Sequence, residues 1–180
     1  MTDELTVIAG NYNENGYYFP IDAMSVERAL VYRSQFEAAE REYKDKDPDF
    51  DALVFGHANM VMPFVDEITR LSSVLDPVRA ILGPYVMVWG ANFFLKEAHS
   101  PNYVSWHQDL TYWGLDNVDE VTAWVALSPA TVRSGCMRYV PGTHTQEIVP
   151  HRDTFAEDNQ LSRGQELAVD VNEAEAVDVV

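Results

Sequence analysis

The sequence predicts an α+β protein in which a helical first half supports a β-sandwich or jelly roll. Three observations carry this expectation. Apolar residues recur at helical spacing as far as Gly83-Pro84. From Tyr85 onward the texture changes to short runs rich in Val, Trp, Phe and Tyr, separated by turn residues. The chain has 180 residues, 47% of them hydrophobic, enough to bury one sizeable core and too few for two ordinary domains. One domain is expected, with residues 1–83 as helical support and residues 84–180 as the strand-rich part.

In chain order, Asn11 to Gly16 reads as a turn, followed by the pair Phe19-Pro20. Ser25 suits a helix N-cap with Glu27 in the first turn. Val26, Ala29, Leu30 and Phe36 then predict a helix to about Tyr43. Lys44 to Asp51, charged and interrupted by Pro48, predicts a loop. His57, Val61, Phe64, Val65, Ile68 and Leu71 mark one helical face, broken near Pro63, where a new helix starts. Ser73 to Leu82 predicts a short helix stopped by Gly83-Pro84, since glycine can adopt the left-handed C-terminal conformation and proline blocks continuation. The expected strands are Tyr85 to Trp89, Ala91 to Glu97, Val104 to Leu110, Val121 to Leu127, Cys136 to Val140 and Leu167 to Val171. The ending Val177-Asp178-Val179-Val180 reads as the start of a strand, so the barrel is expected to be incomplete at its C-terminus.

Composition narrows the function classes. Four Trp, nine Tyr and eight Phe supply more aromatic burial than a disordered acidic chain carries. A formal charge of -17, with the twelve Lys and Arg scattered, argues against nucleic acid or an anionic lipid surface as partner. The single Cys136 excludes an internal disulfide, there is no Asn-x-Ser/Thr sequon, and the N-terminus lacks the basic start and apolar stretch of a signal peptide. A reduced, cytoplasmic setting is expected. No apolar run approaches the roughly 20 residues needed to span a bilayer, so no membrane partner is expected.

The chemistry centres on His107-Gln108-Asp109. In a strand, side chains two apart share a face about 7 Å apart along it, so an imidazole and a carboxylate would converge. With a His from another strand, such a pair forms the facial triad that holds non-haem Fe(II) and leaves positions open for cosubstrate and O₂. The pair alone is also compatible with an ordinary polar strand face. His151-Arg152-Asp153 repeats the spacing and resembles the catalytic loop of protein kinases, but no Gly-rich phosphate loop, Val-Ala-Ile-Lys strand or Asp-Phe-Gly accompanies it. Following Pro150, it is expected in a loop with a structural role. His57 is expected as a core histidine and His99 in a loop, and no Ser or Cys has a neighbouring base that would make it a nucleophile.

A longer phrase discriminates. Trp106-His107-Gln108-Asp109-Leu110, then Val121-Thr122-Ala123-Trp124-Val125-Ala126-Leu127, then Gly135 to His144 through Pro141-Gly142-Thr143, preceded by Phe94-Leu95-Lys96, resembles the phytanoyl-CoA dioxygenase family in order and spacing. The likeness is dense from about Gly83 to His151. Gly16-Tyr17-Tyr18-Phe19-Pro20 looks like the family's opening before its first helix. The resemblance implies a double-stranded β-helix (cupin-like jelly roll), Fe(II), and 2-oxoglutarate decarboxylated to succinate while a small organic substrate is oxidised by O₂. It assigns His107 and Asp109 as metal ligands, and Asn92 and Trp124 to the cosubstrate pocket; Lys96, which shares a strand face with Asn92 and Phe94, and Gln108 are further candidates for that pocket. Trp124 and Asn92 also fit plain packing positions. Related halogenases replace the carboxylate by a small residue; Asp109 stands at that position, so hydroxylation is expected. In the family a distal His and then an Arg for the far carboxylate of 2-oxoglutarate follow later. Neither has a counterpart here: no His follows His151, and Arg163 comes too early. Lys96 could substitute for that Arg, with less orienting power than a guanidinium. The rival expectation is a catalytically silent β-barrel, or a fragment of one, that binds a small ligand or partner. Substrate and oligomeric state are not legible.

Overall fold

The computed structural model describes residues 3–54 and 56–180. Its helical layer comprises α1 (Asp3–Asn15), α2 (Val26–Tyr43), α3 (Phe50–Val54), α4 (Ala58–Val61), α5 (Pro63–Thr69) and α6 (Ser72–Leu82). The local signals explain most boundaries. The Ser25 side chain accepts from the Arg28 backbone N–H at 3.3 Å and starts α2. Pro63 occupies the first turn of α5, where its missing N–H costs nothing. Gly83, at φ 96°, terminates α6.

Two local expectations need correction. Asn11 to Asn15 is the last turn of α1, not a turn between elements. Asn11 and Asn15 each donate a side-chain N–H to the carbonyl four residues earlier, at 2.8 and 3.0 Å, and so satisfy groups that would otherwise favour a turn. Ile8 buries α1, which packs against α6, and only Gly16, at φ 83°, leaves the helix. His57 is exposed rather than buried; it precedes α4 and its backbone forms a single bridge to Ala91.

Tyr32, Phe36, Phe50, Val54, Ala58, Met62, Phe64, Val65 and Ile68 form the core. Phe93 enters it from the second half, its ring centroid 4.3 Å from that of Phe36 and 6.1 Å from that of Phe64. Ala91, Val125 and Leu127 pack on the same core. Positions 91, 93, 125 and 127 face the helices, and Asn92, Phe94, Lys96, Thr122 and Trp124 occupy the alternate positions.

The regular β structure is smaller than expected. Strand β1 (Met137–Tyr139) pairs antiparallel with β4 (Val177–Val179), and β2 (His151–Asp153) pairs antiparallel with β3 (Gln165–Leu167). Cys136 to Val140 contains β1, and the last Val residues supply β4. By contrast, the runs at 85–89 and 121–127 form no ladder among the described residues, and the run at 91–97 is joined to the helices only near Ala91 and Phe93. A strand needs a second backbone to satisfy its N–H and C=O rows, and a run of strand-forming residues does not itself supply one. The run at 104–110 forms no ladder among the described residues either: Tyr103 makes an isolated bridge to Asn159, and Asp109 adopts helical dihedrals ahead of α7 (Leu110–Trp113), which Gly114 ends at φ 66°. The expected strand Leu167 to Val171 lies upstream, at Gln165–Leu167. His151–Asp153, expected in a loop, is a strand. The register sets Arg152 opposite Glu166, with an ion pair of 2.6 Å across the strands.

Candidate metal site

The segment that carries the site lies against the β2–β3 hairpin. Tyr103 N–H donates to the Asp158 carbonyl and Gln160 N–H to the Tyr103 carbonyl, both at 2.9 Å, and Leu167 N–H donates to the Trp106 carbonyl at 3.0 Å. Beneath it, Asn159 and Gln165 are the buried polar residues, and the Ser105 hydroxyl, which donates to the Gln165 carbonyl, accepts from Asn159 Nδ2 at 2.9 Å. This polar seam fixes Ser105, and Ser105 in turn orients the first candidate ligand.

His107 Nδ1 lies 2.7 Å from the Ser105 carbonyl, and its Nε2 lies 3.0 Å from Asp109 Oδ1. The carbonyl can only accept, so Nδ1 carries a proton. Nε2 is left as the nitrogen available to a metal once it is deprotonated, the arrangement usual for ligating histidines. Asp109 Oδ2 accepts from the Thr122 hydroxyl at 3.1 Å, which leaves Oδ1 facing the imidazole. Burial opposes a charged imidazole at His107. The hydrogen bond to Asp109, the Ser105 carbonyl and the Asp109 charge outweigh it and raise the His107 pKa. The same hydrogen bond, from the other side, holds Asp109 below the ordinary carboxylate range against its own desolvation.

This pair fits a divalent cation. Two donors each about 2.1 Å from one ion and at right angles stand about 3 Å apart, the separation found between Nε2 and Oδ1. Among the described residues, no group of three His, Cys, Asp or Glu is placed to hold a metal. His144, a conceivable third ligand, is docked elsewhere: its Nε2 is 3.2 Å from the Asn13 carbonyl, and its ring fills the space beside Gly16 where a Cβ would meet Nδ1 at 2.6 Å. His151 is nearer, its ring edge-on to Tyr112 at 5.6 Å, with both nitrogens engaged by backbone groups.

The candidate cosubstrate residues are Asn92, Lys96, Gln108 and Trp124. Asn92 and Trp124 are exposed, Trp124 by 44%, on the positions that alternate with the core-facing ones. Lys96 Nζ donates to the Gly135 carbonyl at 2.9 Å. The Gln108 side-chain oxygen accepts from Val149 N–H at 2.9 Å, which turns it toward β2.

Several residues around the pair escaped the sequence reading. Glu120, pushed up to about 6 by burial and by the Asp109 charge, has a buried Oε2 with no hydrogen-bond partner. Tyr139, stacked on Tyr17 at 5.1 Å, is pushed up to about 12, chiefly by burial and then by the Asp109 charge. Tyr12 is raised by burial, then by Glu120 and Asp109. Both phenols therefore remain protonated and able to donate. Thr122 carried a legible signal, since it lies two residues from Trp124 and so on its side of an extended run; Glu120 and Tyr12 carried none.

The chain resembles known proteins along most of its length. The profile of the family described as Phytanoyl-CoA dioxygenase (PhyH) matches residues 12–179. The chain is 27% identical over 89 residues to a protein of Stutzerimonas stutzeri named probable alpha-ketoglutarate-dependent hypophosphite dioxygenase, covering 49% of this chain and 31% of that protein. It is 29% identical over 103 residues to phytanoyl-CoA dioxygenase domain-containing protein 1 of Mus musculus, covering 56% and 35%. Over 86 residues it is 28% identical to L-proline trans-4-hydroxylase of Streptomyces griseoviridis, covering 46% and 32%. These matches span about a third of the length of the curated relatives. Among solved structures, the apo form of the non-heme monooxygenase ThoJ superposes with a TM-score of 0.80 at 31% identity, covering 96% of this chain and 63% of that one.

Proposed function

This chain belongs to the phytanoyl-CoA dioxygenase family, and on that premise we propose that it serves as an Fe(II)- and 2-oxoglutarate-dependent oxygenase that hydroxylates a small organic substrate. The observation that carries the reading is the approach of His107 Nε2 to Asp109 Oδ1 at 3.0 Å, with Ser105 and Thr122 holding the outer atoms of each side chain. When bound, iron with 2-oxoglutarate couples reduction of O₂ to decarboxylation, so that one oxygen atom goes into succinate and the other into the hydroxylated product.

The residues of the chain would bind and orient. His107 and Asp109 supply two protein ligands, and binding replaces the proton that they share in the metal-free state. The presence of a carboxylate at position 109 favours hydroxylation over halogenation. Asn92 and Trp124 are proposed to line the cosubstrate pocket, within a jelly-roll arrangement whose layer away from the helices carries the site. Lys96 is a weak candidate for the far carboxylate, because it would first have to release the Gly135 carbonyl. Tyr12 and Tyr139, protonated and close enough to feel the Asp109 charge, can donate to polar groups of a bound substrate.

Anaerobic titration with Fe(II) or Mn(II) tests the metal site. His107→Ala and Asp109→Ala should each abolish it, and unchanged binding in either would place the metal elsewhere. If metal binds and neither O₂ nor 2-oxoglutarate is consumed, the silent ligand-binding reading takes over.

A further inference from the structure

We propose that Gln108 and His151 are positioning residues, forming a clamp that holds the His107–Asp109 pair in the geometry a metal requires. The proposal deepens the metal-site reading and rests on it. Three hydrogen bonds close a ring between the site turn and the start of β2. The Gln108 backbone N–H donates to His151 Nε2 at 3.0 Å, His151 Nδ1 lies 2.8 Å from the Val149 carbonyl, and Val149 N–H donates to Gln108 Oε1 at 2.9 Å. An amide N–H can only donate and a carbonyl can only accept, so the tautomer is determined: Nε2 accepts and Nδ1 carries the hydrogen. Every donor in the ring meets an acceptor.

The mechanical consequence follows from where the ring grips. Gln108 is the residue between the two ligands, and it is held at its backbone nitrogen and at the end of its side chain. Rotation about the 107–109 backbone, which would separate Nε2 from Oδ1, must break both bonds and leave partly buried polar groups unpaired. Tyr112, on the first turn after Asp109, closes one side with its ring perpendicular to that of His151 and 6.5 Å from that of His107. Gln108 is thus assigned to the backbone of β2 and not to the cosubstrate, and His151 acts through Gln108 without touching the metal.

Equilibrium Mn(II) binding, followed by the resonance of free Mn(II) and accompanied by Tm for each variant, tests the clamp. His151→Phe and Gln108→Leu should weaken Mn(II) binding by about 10–100-fold, the range for partners that orient metal ligands. His151→Gln, whose side-chain oxygen can still accept from the Gln108 N–H, should lose less. Val65→Ala, a core variant, should lower Tm and leave the affinity of the folded protein unchanged. Unchanged affinity in His151→Phe, or an equal loss in Val65→Ala, overturns the proposal. Parent binding that ignores His107→Ala would sink the metal-site reading instead. The clamp is then decided by hydrogen exchange of the Gln108 amide, which must speed up in His151→Phe; an unaltered rate overturns it.

Discussion

The two halves of this molecule divide stability from chemistry. Among the described residues, the buried apolar side chains lie between Ile8 and Pro77. The His107–Asp109 pair and the Ser105, Thr122 and His151 groups that hold it lie in the second half, whose buried residues among those described are Asn159, Gly164 and Gln165. The helical half is held by contacts among large apolar groups. The second half is held by specific hydrogen bonds and cross-strand ion pairs, and exposes Tyr85, Met87, Val88 and Trp89. The contrast teaches that a ligand pair can be oriented by a polar seam with little apolar burial of its own, provided the segments on either side are pinned to a firm layer.

The largest expected effect comes from breaking the firm layer. Phe64 is 5% exposed and stacks on Tyr32 at 5.7 Å while touching Phe93, the residue through which the second half enters the core. Phe64→Ala should cost about 3–5 kcal/mol by cavity formation, read by denaturant unfolding. A cost below about 1 kcal/mol would mean that the core is less tightly packed than the contacts imply.

The contrast can also be broken spectroscopically. All four Trp lie after Tyr85, whereas α1 to α6 lie before Gly83. Tryptophan fluorescence therefore reports the second half and far-ultraviolet dichroism the first. The fluorescence transition should come at lower denaturant, because segments with few buried apolar contacts open at lower free energy. Coincident transitions would show that the halves form one cooperative unit.

The legibility of the sequence followed the range of the interactions. Ser25, Pro63 and Gly83 act on their own turns, so their helix boundaries could be read directly. α1 was missed because its asparagines satisfy the backbone in a way that composition does not reveal. The shared face of Asn92, Phe94 and Lys96 was legible, yet strand pairing was not, because a ladder depends on a partner that a linear pattern cannot name. His107 and Asp109 were picked out by their spacing and by the longer phrase around them, and the chain brings Nε2 and Oδ1 to 3.0 Å. Thr122 and His151 reach the site from 13 and 43 residues away, and their roles exist only once the chain has folded.

A smaller effect is expected at Thr122, which sharpens the account of the polar seam. Thr122→Val keeps the shape and removes the hydroxyl that donates to Asp109 Oδ2. It should cost about 1 kcal/mol in the metal-free protein and weaken Mn(II) binding several-fold. Equal metal affinity in the two proteins would show that Asp109 is oriented without Thr122.

The smallest effect concerns Glu120, whose burial and proximity to the Asp109 charge push its pKa from 4.5 up to about 6. The folded protein holds this proton more tightly than the unfolded chain does, so between these two values it binds more protons than the unfolded state. Stability from this group is fully present below about pH 4.5, falls as pH rises, and is lost above about pH 6. A Glu in this place therefore opposes folding at neutral pH. Because the side chain is only partly buried, solvent screening keeps the cost under about 1 kcal/mol. Glu120→Gln, compared with the parent in the presence of a chelator, should melt higher at pH 7.5 and no higher at pH 4.5. The comparison between the proteins at each pH cancels the titrations they share, including that of Asp109. A difference in Tm that is the same at both values would mean that Glu120 is as free to ionise in the folded protein as in the unfolded one, and that the Asp109 charge does not reach it.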